Sequence, residues 1–242
     1  MFAPLSKGEL LDGAFHLYGR HFTTIIGVAA VCHGPGQALT LYARVSGGLL
    51  VHPGQLAVAS LVAGIGGLIG SAAILKIISD GYLEREPSAT DAIRFALTKA
   101  LPLFLAGLAR AILVFLALLL FIVPGIIVAC GYSVVSQVVV LENLPQSTDA
   151  LGRSWALTKG HRWTAFVVAF VLYLVAFVPA AAVGGVLEGL GFQVVGEVIA
   201  ALCAVVLAPL LACGLTLYYY DLRVRKEAFD LQLLGQLLGP SA

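Results

Sequence analysis

Charged residues are scarce in this chain: Asp, Glu, Lys and Arg make up 11% of its 242 residues, against about 25% in an average soluble domain. Hydrophobic residues make up 60%, which excludes a disordered chain because low hydrophobicity is what keeps a chain unfolded. The formal net charge of +1 excludes a broadly basic nucleic-acid-binding protein and an acidic tail. Six membrane-spanning helices of about 20 residues would account for most of the apolar residues. The composition therefore predicts a polytopic helical membrane protein of the all-α class.

Hydropathy identifies six apolar stretches, most of them long enough to cross a hydrocarbon core about 30 Å thick. They cover residues 23–42, 55–79, 101–123, 125–141, 164–186 and 192–219. Gly34-Pro35-Gly36 interrupts the first stretch, which predicts a kinked or broken helix. Pro124-Gly125 predicts a very tight turn, and hence an antiparallel hairpin of the third and fourth spans. No cleaved secretory signal is expected, because Lys7 and Glu9 fall within the first ten residues, which contain no long apolar core.

Basic residues are distributed unequally between the two sides that six spans define. The side with both termini carries twelve of them: Lys7, Arg20, Lys76, Arg85, Arg94, Lys99, Arg153, Lys159, Arg162, Arg223, Arg225 and Lys226. The opposite side carries Arg44 alone, and Arg110 lies within a span. This bias predicts that both termini are cytoplasmic. Tyr218-Tyr219-Tyr220, just before the last basic cluster, fits an aromatic belt at the inner interface.

Two segments between spans are similar in sequence. Thr90-Asp91-Ala92-Ile93 precedes Phe95-Ala96-Leu97-Thr98-Lys99, and Thr148-Asp149-Ala150-Leu151 precedes Trp155-Ala156-Leu157-Thr158-Lys159. Both have the apolar spacing of an amphipathic helix, as does Leu10–Phe22, whose identity to them is weaker. Within one membrane domain we therefore predict three repeat units, each an interfacial amphipathic helix plus a transmembrane hairpin, at residues 5–79, 87–141 and 147–220, followed by a cytoplasmic tail at 221–242. The alternative is that amphipathic helices at one leaflet simply resemble one another.

Small residues at four-residue spacing predict two close helix contacts. Gly66 and Gly70 form the first, in the second span, within a glycine-rich run that lacks the spacing of a dinucleotide-binding loop. The second is an unbroken stripe along the last span, formed by Gly196, Ala200, Ala204, Ala208 and Ala212. We expect another helix to lie along this stripe, and Pro209 to kink the helix beside it.

Residues that could carry chemistry are few. The four cysteines, Cys32, Cys130, Cys203 and Cys213, all fall within spans, where a role in packing is favoured over a disulfide or a metal site. The five histidines have no metal-ligand spacing. A convergent nucleophile, base or metal set is not visible, so the sequence predicts neither catalytic residues nor a cofactor.

Two charged residues within spans define a candidate intramembrane site. Placing Arg110 or Glu197 in hydrocarbon costs about 2.5–3.5 kcal/mol each on insertion scales. From opposite sides they lie roughly 13 Å and 9 Å deep, which leaves roughly 7 Å between their depths. One hypothesis is that they pair, or that they border a polar cavity with Ser133, Ser136 and Gln137, which share a helix face. His33, in the first span, is a further candidate. The alternative is that each charge snorkels to the nearer head groups.

Several short motifs resemble those of a known family. They are Leu5–Tyr18, Val123–Ile126, Val139–Glu142, Arg153–Thr158 and Tyr219–Arg223. Together they are similar to the glycerophosphoryl diester phosphodiesterase membrane-domain family of bacterial integral membrane proteins. The resemblance implies the fold and a location in the bacterial inner membrane. It does not imply the phosphodiesterase activity, because the enzyme of that family is a separate soluble TIM barrel for which this chain has no room.

Two functions fit these patterns. The favoured one is a non-catalytic membrane protein that organises lipid or anchors a membrane or cytoplasmic partner, through its basic inner face and an apolar tail at 227–238. The other is a transporter or lipid-handling protein with a mid-membrane cavity around Arg110, Gln137 and Glu197, since transporter sites often use interrupted helices. A membrane-embedded hydrolase is disfavoured, because its residues are not visible. Membrane lipids are expected partners, nucleic acid is not, and the oligomeric state is left open.

Overall fold

The computed structural model describes residues 5–45 and 53–227, and its regular structure in these ranges is helical. The helices are α1 (Lys7–Arg20), α2 (Phe22–Val45), α3 (Pro53–Tyr82), α4 (Ala89–Leu120), α5 (Ile122–Gly131), α6 (Val135–Leu141), α7 (Asp149–Thr158), α8 (Arg162–Gly189) and α9 (Gln193–Glu227). Six helical segments are long and apolar enough to cross a membrane: α2, α3, α4, α5 with α6, α8, and α9. The predicted all-α fold is therefore confirmed, and the described ranges contain six segments able to span a membrane.

The bundle is packed most densely at the end where the two termini meet. The backbone N–H of Leu5 donates to Asp221 Oδ1 at 2.8 Å, so both ends of the described chain lie there. Large side chains that are fully buried include Leu10, Ile78 and Leu157 at this end. At the opposite end, Phe121 and Ile122 at the tip of the α4–α5 hairpin are more than 70% exposed. We call these the termini end and the hairpin end.

The three predicted interfacial helices are not equivalent. Helices α1 and α7 are separate from the spans that follow them, with breaks at His21 and at 159–161. The second predicted helix, at 89–99, is instead the first part of α4 and continues into the span. Gly160, with φ of +87°, ends the third segment, whereas Ala100 stands at the matching position after Lys99 and favours a continuous helix.

Two predicted features of the chain differ in detail. Of the kinked or broken helix predicted at Pro35, the break is excluded, because α2 runs unbroken through this residue. Gly36 lies against α3, because a Cβ on it would be 2.4 Å from Ala63 Cα. The glycine therefore permits a close crossing of two helices. Pro124 and Gly125 lie within the first turn of α5, where a missing N–H loses no helical bond, and the chain reverses at Phe121, whose backbone is extended.

The predicted aromatic belt is also wrong. Tyr218, Tyr219 and Tyr220 are at most 3% exposed and belong to the core. Their hydroxyls reach His161 O, a Glu142 carboxylate and Ser79 Oγ, at 2.9, 2.9 and 2.6 Å respectively. Helix α9 does not end as a span at 219 but continues to Glu227, where it packs against α1, α3 and α7.

The predicted tail lies only partly within the described residues. Residues 221–227 are the last turns of α9, and Asp221 and Leu222 are buried. The apolar residues expected from position 228 onward lie outside the described chain, as do the side chains of Arg44 and Ala204.

Candidate functional site

The main polar candidate within the membrane is a cavity beside Arg110. This Arg110 cavity has a volume of about 350 Å³ and lies between α4, α5, α8 and α9. Its walls include Phe166, Phe170 and Tyr173 of α8, with Leu211 and Leu215 of α9 opposite them. The walls are therefore mainly apolar and aromatic, with a guanidinium at one edge.

Arg110 has no hydrogen bond and no ion pair with any residue in the described ranges. Ser133 lines the same cavity, is 7% exposed, and its Oγ likewise has no hydrogen-bond partner there. Buried polar groups are usually hydrogen-bonded, and an unpaired one is costly. The cavity thus combines a positive charge with an unpaired hydroxyl. A carboxylate or phosphate could accept hydrogen bonds from both groups.

Ser133, Ser136 and Gln137 do not share one continuous helix face, contrary to the prediction. Residues 132–134 form a turn between α5 and α6, so Ser133 precedes the helix that carries the other two. Gln137 is 3% exposed in the core with an unpartnered Oε1, while Ser136 is only partly buried. Of the three, only Ser133 lines the Arg110 cavity.

Arg110 and Glu197 do not pair, so the hypothesis that joined them is wrong. Glu197 lines a different cavity, of about 180 Å³, together with Gln37, Thr40 and Glu188. The sequence places the two charges roughly 7 Å apart in depth, but α4 and α9 present them to different cavities. Depth alone therefore does not bring two residues together.

His33 lies in a third cavity, of about 290 Å³, with Gln37, Ser71, Ala208 and Ala212. Gln37 also lines the Glu197 cavity, so polar groups follow α2 from mid-span toward the hairpin end. These groups are separate from Arg110. The predicted polar site is therefore divided between two regions of the bundle.

The glycine pair of the second span lies at a close crossing with α2. A Cβ on Gly66 would be 2.0 Å from the Cys32 carbonyl oxygen, and one on Gly70 would be 2.6 Å from His33 Nε2. Such spacing needs residues without side chains, because a backbone oxygen cannot move aside.

The small-residue stripe of α9 has two different halves. A Cβ on Gly196 would be 2.9 Å from the Gly184 carbonyl oxygen, and Ala200 also faces Gly184. Ala208 and Ala212 instead border the His33 cavity, and Ala208 is exposed. The expectation of one helix along the whole stripe is wrong, because a cavity separates α9 from its neighbours at that level.

Sequence reasoning missed a charged network at the termini end. Arg153 Nε lies 2.9 Å from Glu142 Oε2, and Arg153 Nη1 lies 2.5 Å from Glu227 Oε1. Arg223 Nε also pairs with Glu227, at 3.1 Å, and Tyr219 donates to Glu142. Hydrogen bonds to Glu227 and, to a smaller extent, to Glu142 raise the pKa of Arg153. The network connects α6, α7 and α9, so its role is to stabilise the packing of these helices.

A second set of contacts attaches the N-terminal segment to α9. Arg225 Nη2 donates to the Leu5 carbonyl oxygen at 2.6 Å and Arg225 Nε pairs with Asp221 at 2.8 Å. Tyr18 of α1 donates to the Val206 carbonyl oxygen, and burial raises the pKa of Tyr18 to about 12. Four of the five motifs quoted above for the family resemblance contribute residues to these two sets, whereas Val123–Ile126 lies at the hairpin end.

Exposed charges at the termini end have both signs. The exposed basic residues are Lys7, Arg20, Arg85, Arg94, Lys159, Arg225 and Lys226. The exposed acidic residues are Glu9, Asp12, Glu84, Glu86, Asp91 and Asp149. Since seven exposed basic residues stand beside six exposed acidic ones, the described surface at this end is not strongly basic.

In the described part of the chain, no group of three or more His, Cys, Asp or Glu side chains could hold a metal ion. Comparisons of the chain with models of protein families, with curated proteins and with solved structures found no match.

Proposed function

We propose that this protein is a non-catalytic integral membrane protein that binds an anionic amphiphile, a molecule with an acidic head group and an apolar chain, in the Arg110 cavity. The observation that carries this proposal is the guanidinium of Arg110, which has no partner among the described residues and faces a cavity with apolar walls. A charge within hydrocarbon is costly. An acidic ligand group would offset that cost with charge-assisted hydrogen bonds.

The rest of the cavity suits the same ligand. Ser133 Oγ, buried and without a partner in the described ranges, supplies a second donor for a phosphate or carboxylate oxygen. Phe166, Phe170 and Leu215 supply apolar contact for a chain. Small-molecule sites are typically of this kind, mostly apolar with a few convergent polar groups.

The alternative of lipid organisation through a basic cytoplasmic surface has weaker support. Exposed acidic residues such as Glu84 and Glu86 lie beside exposed Arg85, and the net field on anionic lipid is reduced accordingly. We therefore favour the lipid-handling interpretation centred on Arg110. Membrane lipids are the partners that it requires.

We further propose that the protein lies in the bacterial inner membrane with both termini in the cytoplasm, as a member of the family that its motifs resemble. The twelve basic residues at the termini end support the orientation. The meeting of Leu5, Glu142, Arg153 and Asp221 at one end supports the resemblance, because residues from its separate motifs contact one another or the same helix.

A repeat of interfacial helix plus hairpin is proposed for the first and third units. Helix α1 precedes the α2–α3 hairpin, and α7 precedes the α8–α9 hairpin, each across a short break. In the second unit, the corresponding segment at 89–99 continues into the span as the first part of α4, without a break.

Orientation can be tested by labelling single cysteines in a variant without the four native ones. Glu86→Cys, in the loop after α3, is expected to react only with a reagent that enters the cytoplasm. Gln193→Cys, at the start of α9, is expected to react with an impermeant external reagent. The reverse pattern would contradict the proposed orientation.

Binding can be tested on the purified full-length protein by native mass spectrometry and by titration with phosphatidylglycerol or oleate in neutral detergent. Arg110→Gln should weaken binding by about 10–100-fold, the worth of a charge-assisted hydrogen bond. The matched control is Arg94→Gln, an exposed position on the same helix outside the cavity. Equal binding by wild type and Arg110→Gln would overturn the proposal.

A further inference from the structure

A second depression begins at Arg110 and runs along the α4–α5 hairpin. This α4–α5 groove has a volume of about 470 Å³ and shares Arg110 and Ala129 with the Arg110 cavity. Its other walls are apolar, formed by Gly107, Ala111, Val114, Phe115 and Leu118. The two depressions therefore meet at one guanidinium, and only one of them contains a further polar group.

The polar and apolar parts extend in opposite directions along the bundle. Helix α4 ascends from the termini end to the hairpin end, so Leu118 lies about 12 Å beyond Arg110 at 1.5 Å per residue. Helix α5 descends from the hairpin end, so Ser133 lies beyond Ala129 toward the termini end. A molecule placed here would have its acidic group toward the termini end and its chain toward the hairpin end.

Glycines define both the opening and the end of the groove. A Cβ on Gly107 would meet no atom within 4 Å, so its position is open space at the groove wall. A Cβ on Gly125 would lie 2.2 Å from Leu118 Cδ2, so α4 and α5 are in close contact there. The groove is thus open beside Arg110 and closed by the hairpin contact at Leu118.

We infer that the α4–α5 groove holds one acyl chain of the anionic amphiphile whose head group binds between Arg110 and Ser133. This inference rests on the proposed function and specifies its ligand as a long-chain amphiphile of the leaflet at the termini end. Head group and chain then have the direction that a lipid of that leaflet already has. The molecule need not invert to bind, but its head group must move from the interface to the depth of Arg110.

The test measures affinity against chain length, with the full-length protein in neutral detergent. Octanoate, dodecanoate and hexadecanoate form one series, and alkyl phosphates of the same lengths form a second, which distinguishes a carboxylate source from a phosphate source. In wild type, affinity should rise about ten-fold or more from the eight-carbon to the twelve-carbon chain, because each buried methylene adds to binding.

Ala111→Leu places a larger side chain in the groove on the hairpin side of Arg110, where the chain would lie. It should remove most of the gain with chain length, and the eight-carbon ligands should lose less affinity than the twelve-carbon ones. Val114→Phe, farther toward Leu118 in the same groove, is the second variant. Gly64→Leu is the matched control, since Gly64 is a mid-span glycine of α3 with open space around its Cβ position and lies outside the groove.

The outcomes separate the two proposals. If correctly folded Ala111→Leu and Val114→Phe keep the full gain with chain length, the chain does not occupy the groove and this inference is overturned. If Arg110→Gln binds the eight-carbon ligands as well as wild type, the proposed function itself fails. Loss of the chain-length gain in both groove variants, but not in Gly64→Leu, supports the inference.

Discussion

Arg153 and Glu227 form an ion pair, with Nη1 2.5 Å from Oε1, between the short helix α7 and the last turn of α9. Arg153 also bonds Glu142 at the end of α6, so one guanidinium connects three helices. Its planar fork of donors is what allows two carboxylates to be bound at once. The membrane spans are thus connected outside the apolar layer by a charged network.

Arg153→Ala should lower the free energy of unfolding by about 1–3 kcal/mol, because it removes charge-assisted hydrogen bonds and leaves two partly buried carboxylates with fewer partners. Arg153→Lys should lower the free energy of unfolding by a smaller amount, since a lysine keeps the charge but cannot reproduce the bidentate contact to Glu142. Thermal unfolding in detergent measures both effects. Arg94→Ala, at an exposed position, should change stability by no more than about 0.5 kcal/mol. Equal losses for Arg153→Ala and Arg94→Ala would contradict a structural role for the network.

Gly66→Ala should destabilise the bundle by about 1–3 kcal/mol through overpacking. The added Cβ would lie 2.0 Å from the Cys32 carbonyl oxygen, and that oxygen belongs to the α2 backbone. Gly64→Ala, two residues earlier, meets no atom within 4 Å and should be neutral or stabilising, because alanine favours the helix. Thermal unfolding of the two variants side by side gives the comparison. Similar stabilities would show that α2 and α3 are farther apart than described.

Acid should weaken the junction of α1 and α2. Burial, together with the charge of Arg20, lowers the pKa of His21 from its usual 6.5. The unfolded chain therefore binds a proton more readily than the folded one, so stability falls as the pH drops below about 6.5. His21→Gln should reduce the loss of melting temperature between pH ~7.5 and pH ~5.5, whereas His16→Gln, at an exposed position, should not. An unchanged loss in His21→Gln would exclude this residue as its source.

The spans could be predicted from sequence because hydropathy is a local property of the chain. Whether Arg110 and Glu197 pair could not be predicted, since it depends on which face each helix turns toward its neighbours. The same reason explains Tyr218–Tyr220: their position before a basic cluster resembles a membrane interface, but the helices around α9 bury them. Arg110 itself was identified correctly as a charge within a span, whereas the cavity and groove beside it depend on helix packing.

Interruptions of helices could not be predicted reliably from proline and glycine residues alone. Pro35 and Pro124 both occur where sequence rules favour an interruption, yet α2 continues and α5 has already begun. In each case an adjacent glycine, Gly36 or Gly125, contacts a neighbouring helix closely. The backbone conformation at these two Pro-Gly motifs therefore depends on contacts between helices, which the local sequence does not show.

The last prediction divides the small-residue stripe of α9. Ala200→Leu should destabilise the bundle by about 1–3 kcal/mol, because Ala200 faces Gly184 where α8 and α9 are closest. Ala208→Leu should be tolerated, since Ala208 is exposed and borders the His33 cavity, which has room for a larger side chain. The two positions are equally small and lie two turns apart on one helix, so their contrast isolates packing from helix propensity. Thermal unfolding in detergent is the measurement, and equal destabilisation would mean that a helix does lie along the whole stripe.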